Sequence, residues 1–215
     1  MVLVPKDGGH LKLKSFIFST FMLSALSLSA HAATITFTLT QDGCTGTCGT
    51  APFGTITLTD NGSGSSAFVT VTETLATNER FAGTGAGDAL EFSVAGAITL
   101  SNFSSGFGAG PGPDTASTFG TFLESATCTT CQGGKASNPQ GPLSFNVSSA
   151  TGVTVSSFIA NAGGYFFSAD IVGNNGNTGN VAAMAGTASA PEPASGLLVA
   201  AAFGLVGLYG ARKRA

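Results

Sequence analysis

Thr34-Ile35-Thr36-Phe37-Thr38-Leu39-Thr40 alternates threonine with large apolar residues. A period of two places Ile35, Phe37 and Leu39 on one face of a strand and the threonines on the other. β-Branched and aromatic side chains fit a pleated, half-buried surface. The stretch therefore predicts a strand with one face toward a core and one face covered by hydroxyl groups.

The same alternation recurs along the middle of the chain. Similar runs lie at residues 55–59, 68–75, 90–94, 97–103, 143–147, 153–159, 165–172 and 180–184. Clusters of glycine, asparagine, aspartate and proline separate them and favour turns. No segment of ten or more residues between the runs shows a helical period. We therefore predict an all-β domain over residues 33–184, an antiparallel, jelly-roll-like β-sandwich.

Composition excludes several classes of protein. Only 9% of the 215 residues are charged, against about 25% in a typical soluble domain. Between residues 33 and 190, Arg80 and Lys135 stand against nine acidic residues, a net charge of −7. Without a basic patch, a nucleic-acid partner is not expected. The remaining basic residues lie near the two ends of the chain, where they flank apolar segments.

The first of these segments has the three parts of a secretory signal peptide. Lys12 and Lys14 precede an apolar run over residues 15–28. Ala30-His31-Ala32 then provides an Ala-x-Ala-type cleavage site, with small residues on both sides of His31. We predict a signal peptide over residues 1–32, recognised by the Sec export machinery and cleaved between Ala32 and Ala33. Residues 1–10 contribute to none of these three parts, so we hypothesise that translation starts at a position after Met1.

The second apolar segment is predicted to be a membrane-spanning helix. Residues 194–211 carry no charge, and as a helix they would span about 27 Å, close to the hydrocarbon thickness of a bilayer. Arg212, Lys213 and Arg214 follow directly and would stop transfer on the cytoplasmic side. The preceding residues would then lie outside the cytoplasm, which agrees with a cleaved signal peptide.

Pro191-Glu192-Pro193 stands directly before this helix and favours an extended, accessible backbone. In this order, the motif, the single apolar helix and the basic tail resemble the PEP-CTERM sorting signal of Gram-negative bacteria, here over residues 191–215. The resemblance implies recognition of the motif by an exosortase, a membrane-embedded protease, and a link to extracellular polysaccharide and biofilm. Residues 185–190 are predicted to be a linker between the β-domain and the motif.

The four cysteines form two close groups, Cys44 with Cys48 and Cys128 with Cys131. A four-cysteine zinc site is the alternative to disulfides, but an exported chain favours disulfides. Local pairs would each stabilise the fold by about 2 kcal/mol, whereas a Cys44–Cys128 bond would contribute about 4.6 kcal/mol in the chain-entropy model. Proximity during export favours local pairs, which we predict.

The middle of the chain contains no histidine, which excludes a Ser-His-Asp triad and a histidine-ligated metal there. We expect no catalytic residue, metal or cofactor, and no enzyme. A glycosidase-type carboxylate pair would have to come from Glu73, Glu79, Asp88, Glu91 and Glu124, which we interpret as solvated acids. Loops 60–65 and 173–179 offer oxygen ligands for calcium, although asparagine and glycine are also ordinary turn formers.

These features predict an exported envelope or matrix protein with a non-catalytic β-sandwich body. It would cross the inner membrane of a Gram-negative bacterium and remain anchored by its C-terminal helix until an exosortase releases it. The alternatives are a carbohydrate-binding or adhesive module that uses the threonine- and serine-bearing sheet face, and a glycoside-active enzyme.

Overall fold

The computed structural model describes residues 32–85 and 87–189. This part of the chain is built from antiparallel strands and two short 3₁₀ turns, Gly64–Ser66 and Val155–Ser157. In chain order the strands are β1 (Thr34–Leu39), β2 (Gln41–Asp42), β3 (Gly54–Asn61), β4 (Phe68–Leu75), β5 (Arg80–Phe81), β6 (Leu90–Phe92), β7 (Thr99–Ser101), β8 (Phe107–Ala109), β9 (Asp114–Ala116), β10 (Gly120–Phe122), β11 (Glu124–Cys128), β12 (Leu143–Ser148), β13 (Phe167–Val172), β14 (Thr178–Ala183) and β15 (Gly186–Ser189).

Two large sheets contain most of these strands. The first has the order β15-β1-β3-β4-β12-β7, and the second has the order β2-β14-β13-β6-β11-β8, with β5 also paired to β13. Neighbours in sequence are often not neighbours in the sheets, so several connections cross from one sheet to the other. The arrangement is all-β and antiparallel, as the alternating pattern predicts, and is consistent with a β-sandwich.

A phenylalanine-rich core joins the two sheets. The ring of Phe37 on β1 lies 4.8 Å from that of Phe167 on β13, and Phe92 on β6 lies 5.6 Å from Phe145 on β12. Each buried aromatic side chain removes a large apolar area from water and so contributes strongly to stability. The described residues belong to one compact unit that begins at Ala32. Residues 32–189, which we call the body, thus contain a core of their own.

A small hairpin covers the outer face of the second sheet. Strands β9 and β10 pair only with each other, and Phe119 between them and Phe122 pack against Ala182 and Tyr165. Val181 and Ala183, the neighbours of Ala182 on β14, belong to the main core. Because successive side chains of a strand point to opposite faces, the hairpin lies on the side away from the first sheet.

Two sequence predictions are corrected by the structure. Residues 153–159 do not form a strand, because Asp60 Oδ1 accepts the N–H of Val155 at 2.6 Å and Ser157 Oγ accepts the N–H of Thr154 at 3.2 Å. Residues 185–190 are not simply a linker, because Gly186–Ser189 pairs with β1. Their small side chains fit this edge: a Cβ on Gly186 would lie only 2.7 Å from Ile35 Cγ2.

Candidate functional site

The outer side of the first sheet carries nine threonines, which we call the threonine face. Strands β1, β3 and β4 contribute three each at alternate positions: Thr34, Thr36, Thr38, Thr55, Thr57, Thr59, Thr70, Thr72 and Thr74. The strands pair in register, so Thr57 stands directly between Thr36 and Thr72. Residues between the threonines, such as Ile56 and Val71, are buried. The result is a three-by-three array on the solvent side of the sheet.

Polar neighbours extend the threonine face on both sides. Thr187 of β15 stands opposite Thr36, and Ser144 of β12 stands opposite Thr72. The Oγ atoms of Thr36 and Thr57 are 3.5 Å apart, and Thr72 Oγ1 lies 3.3 Å from Ser144 Oγ. These cross-strand contacts orient the hydroxyl groups while leaving part of each side chain accessible to solvent.

The threonine face has no charged side chain. On β3 and β4 the outward-facing positions beyond the threonines hold Asn61 and Phe68, which stand opposite each other at one end. Glu73, the one glutamate of β4, points to the other side and is fully buried. A surface of this kind offers many weak hydrogen bonds and methyl contacts without a strong electric field.

A cleft of about 460 Å³ opens where the connection from β3 to β4 faces residues 151–157. Its lining residues are Asp60, Asn61, Gly62, Ser63, Gly64, Ala67, Thr151, Gly152, Val153, Thr154 and Ser157. Asp60 is the single carboxylate among them, and its Oδ1 accepts the N–H of Val155. The cleft therefore does not hold the carboxylate pair that glycoside hydrolysis uses.

Both disulfides are local. The structure pairs Cys44 with Cys48 and Cys128 with Cys131, which is the arrangement that the sequence favours. The side chain of Asn177 donates to the carbonyl oxygens of Gly46 and Thr47, 3.2 and 2.8 Å away. Part of the loop proposed as a calcium site thus holds the first disulfide loop in place.

Asp42 organises the same disulfide loop. Its carboxylate accepts the backbone N–H of Cys44 at 2.9 Å and that of Cys48 at 3.1 Å. Burial raises the pKa of Asp42, but hydrogen bonds from Thr47, Cys44 and Cys48 outweigh burial, and the pKa lies below its ordinary value. Within the described residues these side chains form the one cluster of metal-ligating types, yet both thiols are bonded to each other. Asp42 therefore stabilises the disulfide-bonded loop, and both cysteine sulfurs are already used in the bond.

The interpretation of Glu73 as a solvated acid is wrong. It shares the inward face of β4 with Val69, Val71 and Leu75 and is 0% exposed. Neither carboxyl oxygen finds a hydrogen-bond partner among the described residues. Burial, and secondarily the charge of Glu91, raises the pKa of Glu73 well above its ordinary value. The alternation of residues 68–75 already places Glu73 on the same face as the valines.

Glu79 is a second acid for which the predicted surface position is wrong. It is 1% exposed and follows the β3–β4 hairpin, where its N–H donates to Ala76 O. Burial, together with the negative charge of Asp42, raises the pKa of Glu79 to about 7. No apolar alternation surrounds this loop position, so the sequence contains no signal of its burial.

A polar cluster is buried beneath the hairpin on the outer face of the second sheet. Glu91, Ser168 and Asn180 are all 0% exposed. Asn180 Nδ2 donates to Ser168 Oγ at 3.1 Å, and Glu91 Oε1 accepts the N–H of Asp88 at 3.0 Å. Burial raises the pKa of Glu91 well above its ordinary value, although the hydrogen bonds from Ser168 and Asp88 oppose this effect.

Asp170 lies in the adjoining row of this cluster. Its Oδ2 accepts the N–H and the hydroxyl of Thr84, at 3.0 and 2.7 Å. Burial raises the pKa of Asp170 despite these two bonds. Of the five proposed carboxylates, Glu73, Glu79 and Glu91 are thus closed to solvent, while Asp88 and Glu124 are half-buried. The three closed side chains cannot contact a substrate in this arrangement.

The residues of the predicted export and sorting signals lie largely outside the described residues. These are Ala30, Pro191, Glu192, Pro193, Arg212, Lys213 and Arg214, together with the apolar segments 15–28 and 194–211. Of the predicted cleavage site, Ala32 is exposed and Ala33 O accepts the N–H of Asp60 at 2.9 Å. Residues 32–85 and 87–189 contain no helix with the length and apolar character needed to span a bilayer.

Comparison with known proteins adds no relative. No family model matches the chain, and neither the curated proteins nor the solved structures contain a significant match.

Proposed function

We propose that the chain is an exported protein of the cell envelope or extracellular matrix, processed by an exosortase, with a non-catalytic, jelly-roll-like body. The observation that carries the proposal is the order Pro191-Glu192-Pro193, apolar segment 194–211 and basic cluster 212–214 behind an N-terminal export signal. Both signals give the same topology, with the body outside the cytoplasm. Association with extracellular polysaccharide follows from the resemblance to the sorting-signal family.

Two features of the body support this route. Disulfides persist in oxidising compartments and are rare in the cytosol, and all four cysteines are paired. Thr34 of β1 stands opposite Ser189 of β15, so the chain enters and leaves the body at the same corner. An anchor at either end therefore leaves the opposite end of the body facing away from the membrane.

The test is a triple substitution of the sorting motif in a Gram-negative host that contains an exosortase. With Pro191, Glu192 and Pro193 all changed to alanine, we expect the precursor to accumulate in the inner-membrane fraction, uncleaved at its C-terminal end. The matched control is the T187A/S189A variant, which alters the adjacent strand and keeps the motif. Equal processing of the triple variant and the wild type would refute the proposal, as would an intact, soluble precursor in the cytoplasm.

A further inference from the structure

We propose that the threonine face is a binding surface for ice. The proposal concerns the body and does not depend on how the chain is sorted. It starts from the arrangement of the nine threonines, which is regular in two directions: every second residue along β1, β3 and β4, and every strand across them.

The two repeats of the array are close to repeats of the ice lattice. Neighbouring strands lie about 4.8 Å apart, and alternate residues of one strand repeat every ~6.7 Å. Tetrahedral water with O···O distances of about 2.75 Å places second-neighbour oxygens about 4.5 Å apart and repeats every ~7.3 Å along the perpendicular stacking axis. Each protein spacing thus differs from the corresponding ice spacing by roughly a tenth, which a hydroxyl or a bound water can accommodate.

The chemistry of the surface agrees with this ligand. Threonine is stiff about χ1, so its methyl and hydroxyl groups are held in place before binding. Ammonium and carboxylate groups hold their own hydration shells and would disturb an ordered water layer. The outward positions of the three strands avoid such groups, although the body carries a net charge of −7. Methyl groups between ordered hydroxyls complete a surface that is uniform on the scale of the lattice.

A saccharide fits the same face less well. Small-molecule sites are concave and are commonly lined with aromatic side chains. The threonine face is a sheet surface, and the described cleft lies beyond its Asn61 end. Tyr165, the one tyrosine of the described residues, packs on Phe119 under the other sheet, and the chain has no tryptophan. Phe68 is the one outward-facing aromatic side chain of β1, β3 and β4, so a sugar ring would find a stacking platform only at the Asn61 end of the face.

Sheet twist limits the expected strength of binding. Adjacent strands are rotated by about 20–25° relative to each other, so a flat lattice stays in register with a central strand and its immediate neighbours only. Thr57, in the middle of the array, has a threonine on both sides. We therefore expect inhibition of ice recrystallisation rather than a large depression of the freezing point, with Thr57 and its neighbours as the most sensitive positions.

The test measures recrystallisation in thin frozen films containing the body, residues 32–189, with its disulfides formed. We expect the wild-type body to keep crystals small. The T57L/T72L variant should need about tenfold more protein for the same effect, because it loses hydroxyl contacts worth about 1.4 kcal/mol in total. The T121L/T151L variant makes the same change at two exposed threonines away from the face and should match the wild type.

Three results would overturn the proposal. The first is a wild-type body that leaves ice growth unchanged. The second is an equal loss of inhibition in T121L/T151L and T57L/T72L, with circular dichroism confirming that both are folded. The third is retention on an insoluble neutral polysaccharide that T57L/T72L removes, without any effect on ice, which would assign the face to carbohydrate. Failure of exosortase processing would change none of these measurements, so the two proposals are tested separately.

Discussion

Glu73 and Glu91, both 0% exposed, are close enough for the charge of Glu91 to add to the effect of burial on the pKa of Glu73. Neither carboxyl group has a basic partner in the part of the chain that the structure describes. Within the described residues the two basic side chains bond elsewhere, Arg80 to Asn138 O and Lys135 to Gln132 Oε1. When a carboxyl group is buried without a nearby cation, its protonated form is favoured, because desolvation penalises the charged form.

This relationship predicts that the body is most stable in mildly acidic solution. The folded-state pKa values of Glu73, Glu79, Glu91 and Asp170 are raised, so each contributes stability that is present below its unfolded pKa and is lost as the pH rises through its folded pKa. For Glu79 the loss falls between pH 4.5 and about 7. Thermal unfolding followed by circular dichroism should give a lower Tm at pH 8 than at pH 4.5. A flat or rising Tm over this interval would contradict the prediction.

Glu79→Gln separates the contribution of one acid from the others. The amide has a similar shape and does not ionise, so the fall in Tm between pH 4.5 and 7 should become shallower. The matched control is Gln140→Asn, a change between two neutral amides at an exposed position, which should leave the pH profile unchanged. A profile for Glu79→Gln identical to that of the wild type would show that Glu79 does not titrate in this range.

Replacing Glu73 by an apolar residue of similar length should stabilise the body at neutral pH. The carboxyl group has no hydrogen-bond partner among the described residues, and an unsatisfied buried polar group costs about 1–3 kcal/mol. We expect Glu73→Met to increase the free energy of unfolding in urea by an amount in that range at pH 7, and by less at pH 4.5, where the wild-type carboxyl is protonated. A destabilised variant at pH 7 would indicate that Glu73 has a partner that the structure does not show.

Removing either disulfide should destabilise the body by a similar amount. The sequence separations are 4 and 3 residues, so each bond closes a small loop and contributes about 2 kcal/mol in the chain-entropy model. We expect a C44A/C48A variant and a C128A/C131A variant each to lose that much free energy of unfolding. A loss of 4 kcal/mol or more, about what loops near 100 residues give, would instead indicate long-range pairing.

The edge strand β15 should be able to detach from β1 without unfolding the rest of the body. Its residues 186–188 are exposed, and a Cβ on Gly186 would lie 2.9 Å from the ring of Phe37. Gly186→Val should therefore increase hydrogen exchange in β15 and along β1 while changing the Tm little. Ala188→Val, at an exposed position of the same strand, is the control and should leave exchange unchanged. Protection of β15 equal to that of the wild type would show that the edge tolerates the side chain.

Strands with a clear period of two could be predicted from sequence, and short or irregular ones could not. Residues 34–40 and 68–75 alternate without interruption and form β1 and β4. The stretch around β8 and β9 contains glycine and proline, which favour turns, yet Phe107–Ala109 and Asp114–Ala116 form strands. Strand β8 is held by β11, which lies further along the chain, and pairing of that kind leaves no local pattern. Strand β9 pairs with the adjacent β10, and both strands have three residues, too few for an alternation to be recognised.

The candidate surface was partly visible in the sequence. Alternation shows that the threonines of β1 share one face, and the same holds within β3 and within β4. The register that puts Thr57 beside both Thr36 and Thr72 depends on pairing, which a single sequence does not specify. The burial of Glu91 likewise depends on the β9–β10 hairpin folding over a polar row, a packing event between segments far apart in the chain.

The antiparallel pairing of Thr34 with Ser189 also has a mechanical consequence. A pulling force applied between the two chain ends acts at the open end of the β1–β15 ladder and loads its hydrogen bonds one after another. Strand β15 would then peel away like a zipper at low force, whereas the pair would resist far more strongly if the force acted along the strands and loaded all the bonds at once. A tethered molecule in flowing liquid would first lose the β1–β15 pairing and would keep its phenylalanine core intact.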